Sequence, residues 1–263
     1  MEDFVRWGLA TERARPERSV QMKIRKRPLG TLGVFIFAVG AVLGIAFYGG
    51  AAWADLEAFL FHVESDADAS LGSLSCPVVI TSTESGTLSA TFTNPMERPI
   101  NPPVRTHISE GFVTLMRRID DRPSLEPGER QRLEWTVTAD DAAYGYLILA
   151  RVFVKYPYPL PARTAACGVL VIDLPGWTGS QVTALVVAAS FLCVLGGVGL
   201  RVAVNRPLSG RILDATRAMM ALAVVVLLGT ISSFVGWWLL SGLLLMIALL
   251  LTGAIITYFV QSR

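Results

Sequence analysis

Residues 218–260 contain no charged side chain, and this run of 43 residues constrains the fold more than any other feature of the sequence. As a single α-helix it would be about 65 Å long, whereas the hydrocarbon core of a bilayer is roughly 30 Å thick. Gly236-Trp237-Trp238 interrupts the run with a helix-breaking residue and two aromatic residues that favour the membrane interface. The run therefore predicts two membrane-spanning helices, 218–235 and 239–260, joined by a tight turn.

Two further uncharged segments, 31–53 and 178–200, are also long enough to span a membrane. Because the first of them follows 30 mostly polar residues, we expect a retained anchor rather than a cleaved signal peptide. The composition agrees, since 52% of the residues are hydrophobic and only 17% are charged, against about 25% in soluble domains. The sequence thus predicts an α-helical membrane protein with four transmembrane helices in contact with the lipid bilayer.

Basic residues predict how this protein is oriented. The segment 1–30 carries eight Lys or Arg residues, and the loop 201–217 carries four Arg residues. Lys and Arg next to spans mark the cytoplasmic side, so we place both segments there and 54–177 on the opposite side, in the periplasm or outside the cell. The expected location is a bacterial inner membrane, with both termini cytoplasmic.

Between the first two spans the apolar pattern changes from helical to strand-like. We interpret 54–75 as an interfacial helix, which either lies on the membrane or extends the first span, followed by a polar linker. Beyond it, alternating or continuous apolar residues are typical of strands, and they occur in the runs 76–80, 87–93, 132–138, 146–156 and 167–174. About seven short strands in about 100 residues predict an all-β sandwich over 76–174, outside the membrane.

The string Asp140-x-Ala142-x-Tyr144-x-Tyr146 resembles the D-x-A-x-Y-x-C signature that leads into strand F of immunoglobulin-like domains. The resemblance covers 76–174 and implies an Ig-like sandwich. It also implies that Tyr144 is a buried corner residue whose hydroxyl bonds to the backbone. Tyr146 stands where a variable-type domain has its core cysteine, so the usual disulfide between the sheets is not implied.

The three cysteines differ in their expected surroundings. Cys76 and Cys167 flank the predicted β-sandwich on the oxidising side, whereas Cys193 lies within the second predicted span. We therefore predict a disulfide between Cys76 and Cys167, with two unpaired thiols as the alternative. Such a bond would stabilise the domain by roughly 4 kcal/mol in the chain-entropy model.

Residues that carry catalysis or bind cofactors are sparse. There are two histidines, His62 and His107, and the sequence has neither a G-x-S-x-G elbow nor a phosphate-binding loop. The four predicted spans contain no Asp, Glu, Lys, Arg or His for an ion relay, and the acidic middle segment disfavours nucleic acid. We expect no catalytic residues, no metal site, no cofactor of its own and no nucleic-acid partner.

Two kinds of segment are candidates for contact with a partner. Small residues let helices approach closely, and Gly40 and Gly44 in the first span and Gly196 and Gly197 in the second are spaced for this. Their contact is either with each other or with another subunit. The Pro-rich segments 98–103 and 156–161, the second of which carries Tyr156 and Tyr158, are stiff and suit either recognition or a connection near lipid headgroups.

These features favour a non-catalytic accessory, scaffold or assembly subunit of a larger membrane protein complex. Such a subunit would contact other membrane subunits through its helices and its β-domain. A cell-surface binding or sensing module is the second hypothesis. The third is a membrane enzyme or transporter that uses acidic residues at the outer interface.

Overall fold

The computed structural model describes residues 16–61, 67–206 and 210–261, and within these ranges it contains four long helices and eight strands. The helices are α1 (Pro16–Leu60), α2 (Gly179–Val204), α3 (Arg211–Val235) and α4 (Trp238–Gln261). The strands are β1 (Ala69–Ser70), β2 (Val79–Thr81), β3 (Gly86–Thr93), β4 (Val104–Glu110), β5 (Phe112–Asp121), β6 (Arg130–Val137), β7 (Leu147–Val154) and β8 (Arg163–Ile172). Parts of the predicted basic segment, linker and 201–217 loop lie outside the described residues.

All four helices are long and apolar enough to cross a membrane. A capping box begins α2, because Gln181 N donates to Thr178 Oγ1 and Thr178 N donates to Gln181 Oε1. Gly236, with a φ of +76°, ends α3 in the left-handed conformation that glycine adopts readily. The turn between α3 and α4 thus falls at Gly236-Trp237, where the uncharged run was expected to fold back.

Three helices extend well beyond their predicted limits, namely α1, α2 and α3, the last of which begins at Arg211 rather than at residue 218. α1 continues unbroken from the predicted 31–53 span to Leu60, so of the two arrangements expected for the helix within 54–75 the structure has the extension of the first span and not a separate element. Good helix formers fill this part of α1, and its apolar residues pack on the β-sheet, which stabilises the extension. α2 likewise extends to Val204, which shortens the connection to α3.

The strands form a two-layer sandwich, the β-domain (69–172). The larger sheet has the order β1-β8-β7-β4-β5, with β2 also parallel to β8, and the smaller sheet pairs β3 with β6. The core between the sheets includes Leu88, Phe92, Ile108, Trp135 and Val152, all buried. The sequence does not predict β4 and β5, because charged residues interrupt the alternation of apolar ones along 104–121.

The β-domain has one end near the helices and one end far from them. Strand β8 begins at Arg163, which pairs with Val154, and ends at Ile172, from which the chain soon enters α2. We call the Ile172 end the helix-proximal end and the Arg163 end the distal end. Since β7 has eight residues, the two ends are about 26 Å apart.

Candidate functional site

The two Pro-rich segments meet at the distal end of the β-domain. One leads into β4 and the other follows β7, and these strands pair through Val104 and Val154. Lys155 N donates to Pro103 O at 3.1 Å, which joins the segments directly. Residues 98–103 and 155–157 together line a concave surface of about 440 Å³, here named the loop cleft.

A buried asparagine holds one side of the loop cleft in place. The Asn94 side-chain amide donates to Arg98 O at 2.8 Å and to Leu125 O at 2.9 Å, and its oxygen accepts from Met96 N at 2.9 Å. Glu126 O accepts a further bond from the same amide. Because this side chain is fully buried, these bonds are shielded from water and fix the path of the chain into the cleft.

The two tyrosines of the second Pro-rich segment have different surroundings. Tyr156 packs against the core between the sheets, and burial raises the pKa of its hydroxyl above the usual value. Tyr158 is 90% exposed, and its carbonyl accepts a bond from Arg98 Nη2 at 3.5 Å. Of the two predicted contact residues, Tyr158 is thus the one displayed to solvent, whereas Tyr156 is mainly structural.

A second concave region, here named the joint cavity, lies between α1, β8 and the turn from α3 to α4 and has a volume of about 650 Å³. Asp55 in its wall accepts a hydrogen bond from Gly168 N at 3.0 Å. The buried Arg151 donates to the carbonyls of Phe59 at 3.1 Å and Phe61 at 3.2 Å. These carbonyls end α1, so Arg151 caps the helix and complements its dipole.

The packing around the joint cavity is close. A Cβ atom at Gly168 would clash with the backbone carbonyl of Ala54, so only glycine permits this approach of α1 to β8. Sequence reasoning missed Asp55, Arg151 and Gly168. The sequence did contain one indication of this contact, because Arg151 is the one charged residue in the apolar strand Leu147–Val154.

Cys76 and Cys167 form a disulfide, the pair expected from the sequence, while Cys193 in α2 is a free thiol. The bond fastens the chain between β1 and β2 to β8, next to Gly168. It therefore closes the wall of the joint cavity, which both cysteines line.

Three of the four predicted contact glycines pack inside the chain. A Cβ atom at Gly40 would lie 2.7 Å from Ser190 O, one at Gly44 would lie 2.6 Å from Ser190 Oγ, and one at Gly197 would lie 2.6 Å from Gly33 O. Ser190 Oγ also donates to Gly40 O at 2.8 Å. These contacts join α1 to α2, α3 or both, which corrects the assignment of the three glycines as partner contacts. Gly196 has no atom within 4 Å of its Cβ position and faces outward.

Tyr144 is not the buried corner residue that the Ig-like resemblance implies. Its side chain is 56% exposed and its ring lies 5.9 Å from the ring of Tyr146. Its φ of +57° turns the side chain away from the sandwich. A buried serine ties this turn to the strands instead, because Ser109 Oγ donates to Asp141 O at 2.7 Å and accepts from Leu149 N at 3.0 Å.

The polar groups of the two concave regions are used differently. The loop cleft offers the cations of Arg98 and Lys155 beside an aromatic ring, and in the joint cavity Asp55 and Arg151 hold α1 on the sheet. Across the described ranges, no group of three or more His, Cys, Asp or Glu residues is placed to hold a metal ion.

No family model matches this chain, and no curated protein matches it. Solved structures match part of this chain. The CARDB domain of the PF1109 protein from Pyrococcus furiosus, an Ig-like β-sandwich solved with di-metal ions, is 14% identical with a TM-score of 0.31, over 43% of this chain and 99% of that one. Bacteroides uniformis β-glucuronidase 2 (14% identity, TM-score 0.29) is matched over 37% of this chain and only 12% of its own. At these values the likeness bears on neither the ligand nor the activity of this chain.

Proposed function

We propose that this protein is a non-catalytic accessory subunit of a membrane protein complex, which holds its β-domain at a fixed position outside the bilayer for a partner subunit. The four apolar helices support membrane insertion. The Lys and Arg residues of 1–30 and 201–217 support a cytoplasmic location for both termini and an outer location for 54–177, in a bacterial inner membrane. We also propose that the β-domain is Ig-like, as the sequence resemblance implies.

The observation that carries this proposal is the rigid connection between helices and β-domain. On one side α1 runs from its apolar part directly onto the larger sheet, where Asp55, Arg151 and Gly168 hold it. On the other side the short link from β8 to α2 is fastened, since Thr81 Oγ1 donates to Trp177 O and Gly179 N donates to Glu84 Oε2. A β-domain attached in this way keeps one height and one orientation, as docking within a fixed assembly requires.

The loop cleft is the surface that we assign to the partner. It lies at the distal end, where a rigid β-domain would present it about 26 Å from the helix-proximal end. Arg98 and Lys155 give it positive charge, and the exposed aromatic ring of Tyr158 directly follows its last lining residue, Pro157. These groups fit an acidic segment of a partner subunit, because cations and tyrosine rings form charge-assisted bonds and packing contacts together.

Purification of the tagged full chain from its native membrane in mild detergent tests this proposal. We expect partner subunits to co-purify at a fixed ratio with the parent chain and with Glu134→Ala, a surface variant on the smaller sheet. Tyr158→Ala combined with Arg98→Ala should lose the partner while its melting temperature changes little, because Tyr158 makes little packing contact. A chain that purifies alone would contradict the accessory role, and a complex that survives the double substitution would exclude the loop cleft as the contact.

A cell-surface binding module is the second candidate, and the size of the loop cleft favours it. A volume of about 440 Å³ falls within the range of small-molecule sites. For this function the purified chain alone should bind a soluble anionic ligand. Loss of that binding in the same double variant would support it over the accessory role.

A further inference from the structure

Four large apolar side chains are exposed along the helix-proximal end of the β-domain. Phe112 and Leu115 in β5 are 66% and 54% exposed, and Tyr144 and Tyr146, in the turn before β7, are 56% and 51% exposed. The segments that carry them are joined, since Arg117 Nη2 of β5 donates to Asp141 Oδ2, just before the turn, at 3.2 Å. We name these four side chains the rim patch. Single exposed apolar residues need no explanation, but a group along one edge marks an interaction surface.

Strand pairing sets the level of the rim patch relative to the helices. β7 begins at Leu147, which pairs with Leu170, and Leu170 packs against the helices close to Gly50 of α1. Val79 of the neighbouring strand β2 lies against Gly179, the first residue of α2. The rim patch is therefore level with Gly179, the residue at which α2 starts.

The order of the strands also places the rim patch to one side of the helices. The helices contact the larger sheet at β7, β8 and β2. β5 is the third strand from β8, so it lies about 14 Å away across the sheet. The β4–β5 turn therefore extends sideways beyond the α2 attachment, over the area that a lipid surface next to the helices would occupy.

The backbone of the turn before β7 is strained in a way that exposes two of these rings. Tyr144 has a φ of +57° and Gly145 a φ of +76°, and Tyr144 is the one residue other than glycine with positive φ among the described residues. This conformation costs a tyrosine roughly 1–2 kcal/mol. Burial of the ring does not offset the cost, because the ring is exposed. Strain retained at a surface points to a function for that surface.

We propose that the rim patch inserts into the interfacial layer of the outer leaflet, so that the β-domain leans on the lipid surface beside the helices. Aromatic rings, and tyrosine in particular, favour this layer because one end of the ring system is apolar and the other is polar. The contact rests on the proposed membrane insertion of the helices. It would add a third support to the two connections that already fix the β-domain.

Spin labels on the full chain in vesicles of phosphatidylcholine and phosphatidylglycerol test this contact. A label at Thr114→Cys, an exposed position between Phe112 and Leu115, reports the rim while keeping the patch intact. Labels at Leu243→Cys, on the exposed side of α4, and at Tyr158→Cys, at the distal end, serve as lipid and water references. All variants carry Cys193→Ala, so that the disulfide is the remaining native cysteine pair.

The measured quantity is the accessibility of each label to oxygen, which concentrates in lipid, relative to a water-soluble nickel chelate. We expect the ratio at Thr114→Cys to exceed that at Tyr158→Cys several-fold and to fall to the Tyr158→Cys value when Phe112, Tyr144 and Tyr146 are all changed to Ser. A water-like ratio at Thr114→Cys beside a lipid-like ratio at Leu243→Cys would overturn the lipid contact alone. A water-like ratio at Leu243→Cys would overturn the proposed membrane insertion itself.

Discussion

Arg151 is a buried cation in an otherwise apolar strand, and its surroundings explain why it is tolerated there. Its guanidinium donates to two carbonyls at the end of α1 and to Thr164 Oγ1 at 3.3 Å. A buried charge is costly unless it is hydrogen-bonded, and the unpaired carbonyls of a helix end have the same requirement. One side chain therefore satisfies both needs and fastens the helix to the sheet.

Tyr144 provides a prediction at the scale of single residues. Tyr144→Ala should leave the melting temperature of the full chain in detergent nearly unchanged, because the exposed ring contributes little packing. Tyr144→Gly should be more stable than Tyr144→Ala by about 1 kcal/mol, because glycine adopts positive φ without a Cβ clash. Thermal unfolding of both variants measures the difference.

Leu149→Ala is the control for this experiment. Leu149 is fully buried against α1, so its truncation should cost about 2–5 kcal/mol. If Tyr144→Ala proved as destabilising as Leu149→Ala, Tyr144 would be a buried corner residue after all.

At the scale of elements, α1 connects the two halves of the molecule. Its first part packs on α2 through small residues, and its last two turns pack on β7 and β8. Helices in lipid gain little from apolar contact with one another, so in the proposed membrane location close backbone approach would hold α1 on α2. A glycine also permits close backbone contact at Gly168, where α1 packs on strand β8 instead of on another helix.

Substitutions at Gly40 and Gly196 distinguish a glycine that packs within the chain from one that faces outward. Gly40→Val should destabilise the full chain by about 1–3 kcal/mol, since a larger side chain would clash with the backbone of α2. Gly196→Val should leave stability unchanged, because its Cβ position is open. Thermal unfolding in detergent compares the two. Equal destabilisation by both substitutions would mean that α1 and α2 do not pack as described.

At the scale of the whole molecule, the β-domain and helices form one frame with two fixed connections. The disulfide between Cys76 and Cys167 strengthens this frame, because it fastens the segment between β1 and β2 beside the α1 contact. Reduction of the bond should therefore loosen the wall of the joint cavity. The frame gives the loop cleft and the rim patch fixed positions at opposite ends of the same domain.

The orientation of this frame is testable in intact cells. Cysteine introduced at position 70, in the β-domain, should react with a membrane-impermeant thiol reagent, because we place 54–177 outside. Cysteine at position 208, between the second and third spans, should react only after the membrane is permeabilised. Labelling at 208 with protection at 70 would invert the topology. Labelling at both positions would exclude the four-span arrangement.

Several features of this protein follow from local patterns in its sequence. Uncharged length predicts the four apolar helices, alternation predicts strands β3 and β6, and the placement of cysteines predicts the pair Cys76 and Cys167. Each of these follows from neighbouring residues or from the expected side of the membrane, so no knowledge of distant contacts is needed. Strands β4 and β5 were not predicted, because charged residues interrupt the alternation of apolar residues along them.

Contacts between residues far apart in the sequence depend on how the whole chain folds. Gly40 and Gly197 face each other's helices while Gly196 faces outward, although the spacing of all three is equally suited to contact. The Pro-rich segments converge because β4 and β7 pair, and Tyr144 points outward because its backbone adopts positive φ. The end of α1 determines the roles of Arg151, Asp55 and Gly168, because each of them acts through a contact between α1 and the sheet. These outcomes depend on register and on close approach between elements far apart in the chain, which local patterns do not encode.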